Sequence, residues 1–205
     1  MNEKFDNVLL KEYELNPKIK LSLIFSKIDE LLKNKDTVNV AIDGYSGAGK
    51  STLANLVKEK YDCNVFHMDD FFLTPELKTK ERLSEVGGNV DYIRFHNEVI
   101  LGLKSDKEFK FQKYNCQKMK LDEFVNVKPK KLNIIEGSYS MHPTLIENYD
   151  LKIFLPINKK EQVERILKRN GPFMLQKFIN EWIPKENLYF EKMNISDKAD
   201  IVFNA

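Results

Sequence analysis

Residues suited to phosphoryl transfer recur along this 205-residue chain, and the first of them form a contiguous block. Gly44-Tyr45-Ser46-Gly47-Ala48-Gly49-Lys50-Ser51 fits the phosphate-binding pattern G-x-x-x-x-G-K-[ST]. Its three glycines let the backbone turn tightly, so that consecutive N–H groups from Ser46 through Gly47, Ala48, Gly49 and on to Thr52 face one point at a helix N-terminus, where the dipole favours anions. Lys50 can neutralise the terminal phosphates and the Ser51 hydroxyl can ligate Mg²⁺. Asp69, in Met68-Asp69-Asp70-Phe71-Phe72, is the candidate base for an acceptor hydroxyl, with Phe72 as a wall of the cleft. Glu136 closes the apolar run Leu132-Asn133-Ile134-Ile135 and is followed by Gly137, which is how a buried strand presents a metal-holding acid. Arg165 and Arg169 are four residues apart and share a helix face, from which they can reach nucleotide phosphates, Arg169 as a catalytic cation.

Positioning these groups requires a set of strands and helices. Val38 to Asp43 reads as a strand before the loop, and Thr52 to Lys60 as a helix with Leu53, Leu56 and Val57 on its apolar face. Cys63 to His67 reads as a second strand delivering Asp69. Residues 91–103 read as a helix burying Ile93, Val99, Ile100 and Leu103. Phe109 to Tyr114 alternates as a strand does, with a hairpin return over 119–125. Leu151 to Leu155 is a further strand, and Lys159 to Arg169 a helix ended by Asn170-Gly171-Pro172, where a lid begins. A largely helical stretch over 173–190, interrupted around Pro184, precedes a last strand over 199–203. This alternation predicts an α/β fold with a parallel sheet, whose carboxyl edge would gather the loop, Asp69 and Glu136. Residues 1–36 read as an N-terminal helical extension packed on the domain, with Leu21, Ile24, Ile28 and Leu31 at helical spacing and Phe25 and Leu32 beside them, before a catalytic domain over 37–205.

Bulk properties exclude several functions. Lys and Arg number 33 against 31 Asp and Glu, so there is no basic footprint for nucleic acid. No apolar run has the length of a membrane span, and the charged N-terminus lacks a signal-peptide core. Cys63 and Cys116 have no C-x-x-C spacing, which points to ordinary thiols in a cytoplasmic setting. The three histidines are scattered, so a zinc site is not expected.

Taken together, Gly44–Ser51, Asp69-Asp70-Phe71-Phe72, Glu136-Gly137 and the Arg169 region resemble the uridine kinase-like P-loop kinases, over roughly residues 37–204. The resemblance implies a three-layer P-loop NTPase fold: a five-stranded parallel sheet flanked by helices, with a small inserted β-hairpin and a helical lid. It implies Mg²⁺ with ATP as co-substrate, Asp69 near the acceptor hydroxyl, and two further acceptor-binding residues, Asp91 in Asn89-Val90-Asp91 and Tyr114 in Tyr114-Asn115. The chain departs from the family pattern in three places, one being Cys116-Gln117-Lys118, which stands where uridine–cytidine kinases continue with an aromatic residue and a histidine. Asn115 stands where the family has an aspartate, and Gly171 to Lys177 carries no arginine where the family lid is often arginine-rich.

The expected activity is transfer of the γ-phosphate of ATP to a primary hydroxyl, with the 5′-OH of a nucleoside favoured as in uridine and cytidine kinases. Nicotinamide riboside, pantothenate and sugar phosphates are the other acceptors considered. A nucleotide-binding regulatory protein is the alternative from another class. A GTPase switch would need Asn-Lys-x-Asp, whereas Asn158-Lys159-Lys160-Glu161 ends in Glu. The expected partners are ATP and a small molecule, without nucleic acid or membrane, and a homo-oligomer is left open.

Overall fold

A computed structural model describes residues 17–203; the first sixteen residues of the expected N-terminal extension lie outside them. Helix α1 (Pro17–Asn34) buries Ile24 and Ile28 completely against the strand that follows, with Leu21, Phe25, Leu31 and Leu32 packed around them. This is the stripe its spacing predicts.

Strand β1 (Val38–Gly44) leads into the loop and helix α2 (Lys50–Lys60), and β2 (Cys63–His67) follows. Leu53 and Val57 of α2 are buried, whereas Leu56 faces outward. Strands β3 (Phe109–Asn115) and β4 (Lys120–Val127) pair antiparallel as an inserted hairpin. Strands β5 (Leu132–Glu136), β6 (Leu151–Leu155) and β7 (Ile201–Val202) complete the main sheet. Its order is β2-β5-β1-β6-β7, and every pairing is parallel. The inner strands are buried on both faces, which is why β1, β5 and β6 read as nearly continuous apolar runs. One apolar cluster, around Ile24, Val40, Leu53 and Leu132, lies between the sheet and α1/α2; another, around Phe66, Phe71, Phe95 and Tyr189, lies on the opposite face of the sheet.

The helix over 92–104 contains a π-type turn at His96–Ile100. The extra residue takes Ile93 out of phase with Ile100, so Ile93 is 56% exposed while Phe95, Val99, Ile100 and Leu103 are buried. Helix α3 (Lys159–Lys177) is kinked at Gly171, where φ is 77° and ψ 171°. A second π-type turn, Phe178–Trp182, leads to α4 (Ile183–Lys192). Helical backbone runs on through Trp182 and Ile183, and Pro184, which has no N–H to donate, directly follows the π-type turn that interrupts the α-helical bonding, as expected around this residue.

Candidate active site

Register alone places the key groups at one edge. Ile42 pairs with Glu136, and Glu136 pairs with His67, so the loop after β1, the end of β5 and the turn after β2 emerge side by side. Gly44, the last residue of β1, has φ 150°, and a Cβ there would run into the Leu155 backbone of β6. Gly49, at φ 96°, caps α2 in the left-handed region that permits the loop to become a helix. Ala48 is buried beneath the loop, its N–H donating to Tyr45 O at 3.0 Å.

The loop rests on a buried carboxylate. Asp43 is fully inaccessible to solvent. Its Oδ1 accepts from the N–H groups of Gly44 (2.7 Å) and Tyr139 (3.1 Å), and its Oδ2 from Met141 N–H and the Tyr189 hydroxyl, both at 2.9 Å. This ties the end of β1 to the segment after β5 and to α4. Burial nonetheless pushes the Asp43 pKa from 3.8 up to about 6.

Lys50 Nζ folds back on the loop, donating to Gly44 O (2.8 Å) and Tyr45 O (3.0 Å), and to Ser138 Oγ at 3.2 Å. The Ser51 hydroxyl donates to Glu136 Oε1 at 3.2 Å. His67 Nδ1 lies 2.5 Å from the same oxygen, and the Glu136 carboxylate holds the imidazole pKa above its usual value. Glu136 is 5% exposed, so this pairing fixes its rotamer.

Asp69 and Asp70 lie in a 3-10 turn (Met68–Phe71) rather than an extended segment. The turn separates them: Asp69 faces the cavity, while Asp70 lies 3.7 Å from Lys113. Asp69 is exposed within the cleft, yet the protein packed around that cleft desolvates its carboxylate and raises its pKa above the ordinary value, against the attraction of Lys50, which moves it toward the range useful to a base.

These groups line a cavity of about 330 Å³. Ser46, Gly47, Lys50, Ser51, Asp69, Phe72, Glu136 and Arg169 all border it. A second cavity of about 250 Å³ adjoins it, bordered by Gly49, Thr52 and Arg165, while Gly47, Lys50, Ser51 and Arg169 border both. Arg165 donates to Gly47 O at 3.2 Å and pairs with Glu161.

Asp91 and Tyr114 are placed elsewhere. The Asp91 carboxylate caps the helix over 92–104 by accepting from Arg94 N–H at 3.0 Å, and it lies 3.7 Å from the Arg94 guanidinium. Tyr114 is buried on β3, with Lys78 over its ring, and Asn115 Oδ1 closes the hairpin turn by accepting from Gln117 and Lys118 N–H. Neither Asp91 nor Tyr114 borders the cavity that Asp69 and Glu136 line. Asn158 caps α3, its Oδ1 accepting from Glu161 N–H at 2.9 Å, so the Asn158–Glu161 stretch serves a helix start.

Sequence reasoning passed over Asn89, Ser138, Tyr139, Trp182 and Glu186, all of which border the cavity. Tyr139 carries a signal in its backbone, a φ of 75° that is costly for an aromatic residue, but no residue pattern announces it. Glu186 sits in the first turn of α4, where an acid is ordinary helix chemistry, so its sequence position gave no sign of a role at the loop.

No protein-family model matches the sequence, and no curated protein matches it. Solved structures do share its architecture. A possible uridine kinase from Bacillus stearothermophilus superposes with TM-score 0.64 at 23% identity, over 88% of this chain and 98% of that one. A protein described as a candidate fructose transport system kinase from Silicibacter sp. TM1040 gives 0.69 at 20% identity, over 89% and 98%. The YGR205w protein gives 0.61 at 16% identity, over 89% of each chain. At such identities the likeness establishes the fold, the five-stranded parallel sheet flanked by helices that uridine kinase-like and related P-loop kinases have.

Proposed function

We propose that this chain is an ATP-dependent small-molecule kinase that transfers the γ-phosphate to a primary hydroxyl, with the 5′-OH of a nucleoside as the favoured acceptor. One observation carries the reading: the loop lysine, the Ser51–Glu136 pair and the cleft-facing Asp69 border a single cavity large enough for a small acceptor. A switch protein needs the first two but has no use for a base aimed into a pocket.

The roles follow from placement. Loop N–H groups and Lys50 hold the phosphates, and Arg169 screens charge as it builds on the transferred group. Asp69 accepts the hydroxyl proton. Ser51 and Glu136 fit a Mg²⁺ ion, since they offer oxygen donors 3.2 Å apart beside the phosphate loop, and Mg²⁺ takes one or two such ligands together with phosphate oxygens and water. Bound there, the ion would neutralise charge on the β- and γ-phosphates. His67 keeps the Glu136 carboxylate oriented.

The acceptor end of the cavity is walled by Phe72, Tyr139, Phe178 and Trp182, with Asn89 as a neutral polar group. Lys50 and Arg169, both assigned to ATP, are the cations bordering it. That lining favours an uncharged, partly planar acceptor over a sugar phosphate, which would bring a second set of charges to neutralise. Two of the compared structures are described as kinases, for uridine and for fructose transport, which agrees with an alcohol acceptor.

The direct test is an ATP-consumption screen over nucleosides, nicotinamide riboside, pantothenate and sugar phosphates. Turnover with an uncharged nucleoside is the expected result. Tight Mg-ATP binding with no turnover on any acceptor would instead support a nucleotide-binding regulatory protein.

A further inference from the structure

The transfer roles above leave the Glu186 carboxylate unused, although it is 3% exposed and bonded to the phosphate loop. Ser46 N–H donates to its Oε2 at 3.0 Å and Ser46 Oγ to its Oε1 at 2.5 Å. Ser138 Oγ lies 3.0 Å from Oε1 and accepts from Lys50 Nζ at 3.2 Å. A carboxylate on a main-chain donor of an anion-binding loop stands where such a loop otherwise receives an anionic ligand oxygen.

Its place along a bound triphosphate can be read from the same contacts. The lysine of this loop type reaches the β- and γ-phosphates. Glu186 is two hydrogen bonds from that lysine, through Ser138, and borders the same cavity as Asp69. It therefore sits at the γ end, between the loop and the acceptor. A diphosphate seated from Gly47 onward can leave it in place, whereas a third phosphate brings like charge against it in a partly desolvated site.

We propose that Glu186 makes the loop count phosphates: its carboxylate holds the Ser46 donors until a γ-phosphate displaces it, and the displacement moves the α4 end that carries the cavity wall at Trp182. Glu186 is thus a positioning residue. The proposal rests on the nucleotide-binding reading of Gly44–Ser51.

The chain has one tryptophan, Trp182, four residues before Glu186 and on the cavity wall, so its fluorescence reports the movement. In wild-type protein with excess Mg²⁺, ATP is expected to change Trp182 emission and ADP to leave it nearly unchanged. By calorimetry, Glu186→Gln, which removes the charge and keeps the shape, is expected to tighten ATP binding about tenfold or more and ADP binding less than about threefold. Equal shifts for the two nucleotides, or an unchanged ATP/ADP ratio, would overturn the proposal; a plain loop anchor would weaken both together and lower Tm. Should Glu186→Gln fail to fold, Ser138→Ala removes one of the three contacts and decides the matter by the same ratio, a rise supporting the proposal and no rise overturning it. Wild-type protein that binds neither nucleotide overturns the loop reading and this inference with it, whereas binding with an unchanged ratio overturns this inference alone.

Discussion

Replacing Asp43 by asparagine should change how stability depends on pH, with a sign opposite to that of most carboxylates. In the folded chain the Asp43 pKa is raised from 3.8 to about 6 by burial. The folded state therefore holds this proton more tightly than the unfolded chain. Its stabilising contribution is fully present below pH 3.8 and is lost as pH rises through about 6, amounting to about 3 kcal/mol at 1.36 kcal/mol per pH unit. The asparagine side chain of Asp43→Asn cannot titrate. It also turns an NH₂ toward two of the four donors that Asp43 now accepts, and although the Tyr189 hydroxyl can rotate to accept, an opposed main-chain N–H cannot, at a loss of about 1–3 kcal/mol. Urea unfolding of both proteins from pH 3.5 to 7.5 measures the difference directly. The advantage of wild type over Asp43→Asn should shrink by about 2 kcal/mol between pH 4 and 7, with most of the change below pH 6. A flat difference, or one that grows with pH, refutes the reasoning. Growth would mean that four hydrogen bonds to the charged form outweigh its desolvation.

The remaining expectations concern the site and its loop. Asp69→Asn should lower kcat by a factor of about 10² or more while the ATP Kd from calorimetry stays within about threefold; unchanged turnover would remove Asp69 from the base role. Lys50→Ala should weaken ATP binding and turnover together, and retained activity would contradict the phosphate-loop assignment. Gly44→Ala places a Cβ against the Leu155 backbone, which cannot move without breaking the β1–β6 pairing, so Tm should fall by several degrees or the protein fail to fold; a Tm unchanged within error would show that the strand can shift.

What could be read before the structure was what lies close together in sequence. Gly44–Ser51 announces itself because the whole motif is local, and the alternation of strands and helices places Asp69 and Glu136 at the same sheet edge without knowledge of a single contact. Glu186 and Tyr189 defied that kind of reading. Their partners, Ser46 and Asp43, lie 140 and 146 residues away, and an acid and a tyrosine on a helix have many ordinary uses. Ile93 was misplaced for a different reason, since the π-type turn after it breaks the 3.6-residue period on which its burial was inferred. Asp91 shows the converse difficulty, because a carboxylate beside a cleft and a helix-capping carboxylate look alike in sequence.

The Asp43–Tyr189 bond also bears on how the chain comes to be folded during synthesis. When the ribosome has made residues 38–60, the strand, loop and helix of the phosphate site are already present, yet the carboxylate under the loop lacks its hydroxyl partner on α4. Ser46 likewise waits for Glu186. A nascent chain halted before residue 186 carries the complete motif and a loop without either tether. The site is thus a late product of the polypeptide, closed by long-range contacts that form after most of the sheet, and the chain must keep Asp43 and the apolar face above it from other partners until then.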